Sequence, residues 1–170
     1  MTRVLVTYAS KHGSTAEIAE AIAAELRTHG LTVDSADATE ASPAGFDAVV
    51  LGSAVYVGRW RREARRFLKT NLDALRAVPF WIFSSGPAGE KAAEDLAENG
   101  KWLEPHKVLA LAESAGVRGH TVFSGRVPVD PHGFVEESMV RNTPAEFQDS
   151  RDWDEIQRWA AGIASELTSE

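Results

Sequence analysis

Ser10, Ser14 and Thr15 bring three hydroxyls into a six-residue stretch that also holds Lys11, His12 and Gly13. That mixture suits an anion, and its position in the chain strengthens the reading. Val4, Leu5, Val6 and Tyr8 precede it as a nearly continuous apolar run, expected of a strand covered on both faces. Ile18, Ala19, Ile22, Ala23 and Leu26 follow at spacings of three and four, the period of a helix. Ser14 and Glu17 stand three apart as a capping box, and Gly30 sits where the helix would stop. Backbone N–H groups, hydroxyls and the positive end of a helix dipole then converge on one spot, most naturally a phosphate site. The competing reading is a capped connection with no ligand.

Two other small-residue stretches follow apolar runs. Ala54, Val55, Tyr56, Val57 and Gly58 lead to Trp60, and Ser84, Ser85, Gly86, Pro87 and Ala88 form the second. Tyr56 and Trp60 are the candidates for stacking on a flat ring; the alternatives are packing on the next helix for Tyr56 and a hydrophobic staple at that helix's start for Trp60. The elements that must position these loops alternate. Strands are expected near 4–8, 32–37, 47–54, 78–83 and 119–125. Helices are expected after Thr15, over 61–76, over 91–115 with breaks at Asn99-Gly100 and near Pro105, over 134–140, and from Asp152. This alternation implies an α/β fold with a parallel sheet. Five parallel strands fit a doubly wound sheet of order 2-1-3-4-5 with helices on both faces, which takes ligands at the carboxyl ends of its strands. The three small-residue loops all leave that rim.

The last helix is expected to turn Trp153, Ile156, Ala160, Ile163 and Leu167 to the core, with Asp152 and Glu155 as its capping pair. Trp81, Trp153 and Trp159 read as packing residues, and Trp102 is open between packing and the site. Arg61, Arg62, Arg65, Arg66 and Lys69 make a cationic stripe, either a solvated helix face or a surface that meets anions.

The 170 residues suit one domain spanning 1–170. A net charge of −7 argues against nucleic-acid binding. The absence of cysteine removes disulfides, iron–sulfur clusters and thiolate nucleophiles, so redox chemistry would need a bound cofactor. The histidines show no metal-ligand spacing. No apolar run approaches the roughly 20 residues of a membrane span, and no signal sequence opens the chain, so a cytoplasmic location is expected. A receiver domain would need acidic residues where Ser10 and Ser53 stand. No G-x-G-x-x-G follows a strand, which disfavours a dinucleotide enzyme.

Thr7 through Thr15 resemble the phosphate loop of flavodoxin-like proteins. Gly52-Ser53-Ala54-Val55-Tyr56-Val57-Gly58, Ser124-Gly125 and Arg151-Asp152-Trp153 are similar to the quinone-dependent protoporphyrinogen oxidases of that fold. The resemblance implies FMN as cofactor, with Ser10, Lys11, His12, Gly13, Ser14 and Thr15 on the phosphate. It places Ala54, Val55, Tyr56, Val57, Gly58 and Trp60 on one side of the flavin, and Ser84, Ser85, Gly86 and Pro87 on the other. It also implies that the Val57–Gly58 peptide reorients toward reduced flavin, which needs a residue tolerant of positive φ. A quinone or redox protein as partner, a porphyrinogen as substrate in heme biosynthesis, and peripheral contact with a membrane go with it. The alternative is a flavodoxin-type electron carrier with no small-molecule substrate. The chain departs from the oxidases between 126 and 150. Where they carry a long basic and apolar insert, this segment is shorter and includes Asp130, Glu136, Glu137, Glu146 and Asp149. No side chain presents itself as an acid–base catalyst.

Overall fold

A computed structural model of the chain describes residues 1–56, 58–89, 92, 94, 97 and 105–170. The elements run β1 (Arg3–Ala9), α1 (Ser14–Thr28), β2 (Thr32–Asp37), β3 (Ala48–Tyr56), β4 (Arg59–Trp60), α2 (Arg62–Thr70) and α3 (Leu72–Arg76). They continue with β5 (Phe80–Ser85), α4 (His106–Ser114), β6 (Gly119–Phe123), α5 (Gly133–Asn142), a 3-10 turn at Ala145–Phe147 and α6 (Trp153–Ser169). The long strands lie in the order β2-β1-β3-β5-β6, and each neighbouring pair is parallel. This is the expected flavodoxin-like 2-1-3-4-5 arrangement, with one short antiparallel strand, β4, added beside the end of β3.

Alternation along each strand divides the core into two layers. Val4, Val6, Val33, Val50, Trp81 and Phe83 point to one face, where Ile18, Ile22 and Leu26 of α1 meet Ile156, Ile163 and Leu167 of α6. Leu5, Val49, Leu51, Phe80 and Ile82 point to the other, under Ala64, Phe67 and Leu68 of α2, Leu75 of α3 and Ala112 of α4. Apolar residues on both sides of the central strands are what a sheet sandwiched between helices requires. At α1's end, Gly30 (φ 83°) takes the left-handed conformation and Leu31 N–H reaches back to Leu26 O, a Schellman-type stop.

Three local features depart from the expectations. The stretch after 54 is a hairpin rather than an open loop, because β3 continues to Tyr56 and the chain returns at Arg59–Trp60. The helix expected over 61–76 is two helices. At the break, Asn71 leaves helical geometry and its side-chain amide donates to Phe67 O at 2.8 Å, the local competition for backbone partners that asparagine offers. Trp153 does not face the core. It is 39% exposed, and the Arg151 guanidinium lies 4.6 Å from its ring centroid. The breaks expected at Asn99-Gly100, and Trp102, lie outside the described residues.

Gly52, in the middle of the sheet, is paired with Phe83 on β5. A Cβ on Gly52 would stand 2.0 Å from Phe83 Cζ, so the missing side chain is the space into which that ring folds. There the ring makes an edge contact with Trp159 of α6, centroids 6.1 Å apart. Gly52→Ala is expected to destabilise the protein by about 1–3 kcal/mol through overpacking. Urea denaturation checks this, and adding Phe83→Leu is expected to recover part of the loss.

Candidate functional site

Ladder register brings the loops together. Ala9 pairs with Ser53, Ser53 with Ser84, and Ser84 with Val122, so one row crosses four strands at their carboxyl ends. The segments that follow Ala9, Ser53 and Ser84 therefore rise from the same level of the rim.

In the first loop, Gly13 is the N-cap of α1 in the left-handed conformation (φ 85°), and its N–H donates to Ser10 Oγ at 3.0 Å. The expected capping box is not formed. Ser14 is already the first helical residue, and no side chain caps the helix. Its Oγ is shielded from solvent without a hydrogen-bond partner. Glu17 is drawn away by Arg126, at 3.3 Å, and by Arg151. The first intrahelical bond runs from Glu17 N–H to Gly13 O. The amides of Ser14, Thr15 and Ala16 thus have no acceptor within the helix, and they lie at its positive end beside the orphaned hydroxyl.

The hairpin forms the second wall. Tyr56 is half exposed, and Gly58 has φ 68°, a left-handed backbone that glycine adopts without strain. Val57 lies outside the described residues. Ser53 Oγ accepts Arg61 N–H at 2.9 Å and ties the base of the hairpin to the start of α2. Trp60 is a correction to the expected stacking role: its ring is 2% exposed within the core, and its indole N–H donates to Ser84 Oγ at 2.8 Å. Ser84 Oγ in turn lies 3.1 Å from His120 Nε2. Ser84 is thus a buried link between strands, and Ser85, Gly86 and Pro87 carry the third loop onward. Gly86 N–H donates to Phe123 O and Gly125 N–H to Pro87 O, at 2.8 and 2.7 Å. This approach is tight enough that a Cβ on Gly125 would stand 2.3 Å from Gly86 O.

The segment 126–151 closes over the first loop, and sequence reading missed this. Glu136 of α5 is 3% exposed and points back to the loop. One oxygen meets Lys11 Nζ and lies 3.1 Å from His12 Nε2. The other accepts His132 N–H at 2.7 Å. The Lys11 ammonium above all, then the His132 amide and His12, hold the Glu136 carboxyl down to about 2 against its partial burial. Lys11 is therefore engaged by a carboxylate, so its charge is shared rather than free for a phosphate. Arg151, its side chain 4% exposed, bridges Glu17 and Asp149. Arg151 also keeps the Asp149 carboxyl below its ordinary value. The signal available in the sequence was the pairing of unusual cations in the first loop with acids far along the chain.

Residues 5–153 match the flavodoxin domain family, and the chain belongs to it. It is a redox protein of the flavodoxin fold, and FMN is the cofactor that membership brings. A solved flavodoxin from the domain Archaea superposes with a TM-score of 0.64 at 13% identity, over 98% of this chain and 99% of that one. A Streptococcus pneumoniae flavodoxin gives 0.59 at 18%, over 97% and 99%. Among curated proteins, the quinone-type protoporphyrinogen IX dehydrogenase of Escherichia coli K12 is 27% identical over 85 residues. That alignment takes in 48% of this chain and 47% of the relative, so the chain spans about half the length of the curated relative it matches. The residues present fit a phosphate monoester: an unpartnered, shielded Ser14 hydroxyl beside free first-turn amides is a donor set without an acceptor. Among the described residues, no helix is long and apolar enough to cross a membrane.

Because folding lowers the Glu136 pKa, the stability it confers is complete above its ordinary value of 4.5 and is lost as pH falls toward about 2. Protection of α5 amides, measured against their intrinsic exchange at each pH, should fall over that window in the native protein. In Glu136→Gln, exchange should be faster at neutral pH and no longer respond to that titration.

Proposed function

We propose that the chain is an FMN-dependent oxidoreductase that hands electrons to a quinone or a protein partner, as in the protoporphyrinogen-oxidase-like branch of the family. FMN, when bound, supplies the redox chemistry. The residues supply binding and orientation. Ser10, Gly13, Ser14 and Thr15 hold the phosphate through hydroxyls and amides, and Lys11 and His12, balanced by Glu136, set the charge beside it. Tyr56 and Gly58 with Ala54 and Val55 flank one side of the ring, and Ser85, Gly86 and Pro87 the other.

The observation that carries the finer reading is the outward face of α5. Phe134, Val135 and Met139 are 80%, 64% and 40% exposed, and nearby Val129 is 73% exposed. Glu136, on the same helix, fastens them to the phosphate loop. An apolar edge beside a flavin site fits an apolar electron acceptor such as a quinone, or contact with the surface of a membrane. The second reading, a flavodoxin-type carrier, is favoured by the net charge of −7, since acidic carriers dock on basic partners.

Anaerobic incubation of the FMN-loaded protein with protoporphyrinogen and menaquinone separates the two. Sustained porphyrin formation with quinone reduction is expected, whereas a protein that retains FMN but gives no turnover is a carrier. Ser14→Ala is expected to weaken FMN binding by about 10-fold or more, as for the loss of one hydrogen bond to a charged group, and to leave riboflavin binding unchanged. Fluorescence titration with the two flavins measures both.

A further inference from the structure

The cations of the chain are distributed unevenly. Arg3, Arg27, Arg76, Arg118, Arg126 and Arg151 each have a carboxylate partner. Arg59, Arg62, Arg65, Arg66 and Lys69 are exposed and have no ion pair among the described residues; the same holds for Lys107, Arg141 and Arg158, but those three are scattered along the chain while the first five fall within positions 59–69. On α2, residues 62, 65, 66 and 69 follow the i, i+3, i+4, i+7 spacing that lines one helix face. Arg62 with Arg66, and Arg65 with Lys69, set like charges one turn apart, which weakens a helix. A merely solvated face would gain from an acid at any of these positions. The sole carboxylate of the helix, Glu63, is taken by Arg61 at 3.2 Å.

The stripe begins at the candidate flavin site, since Arg59 is paired across the hairpin with the half-exposed Tyr56. Alongside it runs a groove of about 650 Å³ between α2 and the connection after β2. Arg62 and Arg66 line it with Thr39, Ser42, Ala38 and Phe67, and its one carboxylate, Glu63, is paired with Arg61. Two unpaired guanidinium forks with hydroxyls and apolar side chains suit carboxylate side chains presented on a surface.

We infer that the α2 face, Arg62, Arg65, Arg66 and Lys69 with Arg59 at its edge, is the docking surface for an acidic partner protein. The partner's carboxylates enter the groove, and its approach brings it beside Tyr56. The inference rests on the redox reading in one respect, that the partner exchanges electrons at the flavin edge. The polarity is opposite to that of the whole chain. Net charge alone predicts repulsion of an acidic protein, relieved by salt, whereas a local cationic face predicts attraction, screened by salt. The sign of the salt dependence decides between them.

The test measures binding of a strongly acidic plant-type ferredoxin to the FMN-loaded chain by surface plasmon resonance, from about 20 to about 200 mM salt. Binding is expected at low salt and should weaken at least ~10-fold across this range. Arg62→Glu/Arg65→Glu/Arg66→Glu should abolish it while FMN content, read by absorbance, is unchanged. Absent binding, binding that strengthens with salt, or a triple variant equal to the native chain overturns the inference. So does suppression by citrate at constant ionic strength, which would make the groove a small-anion site. The same measurement on FMN-stripped protein should give the same affinity. A chain that never holds FMN would fail the redox reading through its colourless spectrum, whatever the ferredoxin does.

Discussion

Hydrogen-bonded register sets the geometry on which the rest of the rim depends. Parallel ladders hold Ala9, Ser53, Ser84 and Val122 in one row. A one-residue slip in any of them would turn the apolar set of that strand from one helical layer to the other. Both layers are closely packed around fully buried side chains, so the register is strongly specified. The rim inherits that precision: three segments leave the sheet at one height, and two are braced at once by bonds from Arg61 to Ser53 and from Trp60 to Ser84.

The first loop is organised differently. Its helix start has no capping side chain, and the acid of its first turn, Glu17, is held by arginines rather than by the helix N-terminus. Order comes from more than a hundred residues away, through Arg126 and Arg151 on Glu17 and through Glu136 on Lys11 and His12. These contacts leave the first-turn amides free while neutralising the side chains around them. An anion arriving there meets donors already oriented, which lowers the ordering cost of binding.

Sequence periodicity carried the strands and helices because burial on two faces leaves a strong pattern, and the three loops were found because small residues concentrate where strands end. The misreadings share a cause. Ser14 and Glu17 have the spacing of a capping box, but the long-range pull of two arginines on Glu17 outweighs that local bond. Trp60 stands at the right distance from Tyr56 to be a ring-stacking residue, yet a two-residue return strand turns it inward. Trp153 fits the helical period of α6 but sits in its first turn, where Arg151 covers it. Glu136 was one acid among several in a segment without periodicity, and only the fold shows that it reaches Lys11.

The braces of the hairpin and the clasp of the first loop answer to different variables. Trp60, Ser84 and His120 are joined by hydrogen bonds inside the protein, where added electrolyte has little reach. Glu17 and Lys11 are about half exposed, so their ion pairs are screened as ionic strength rises. The hairpin end of the rim is therefore held by bonds that added salt leaves in place, while the clasp of the first loop loosens as ionic strength rises.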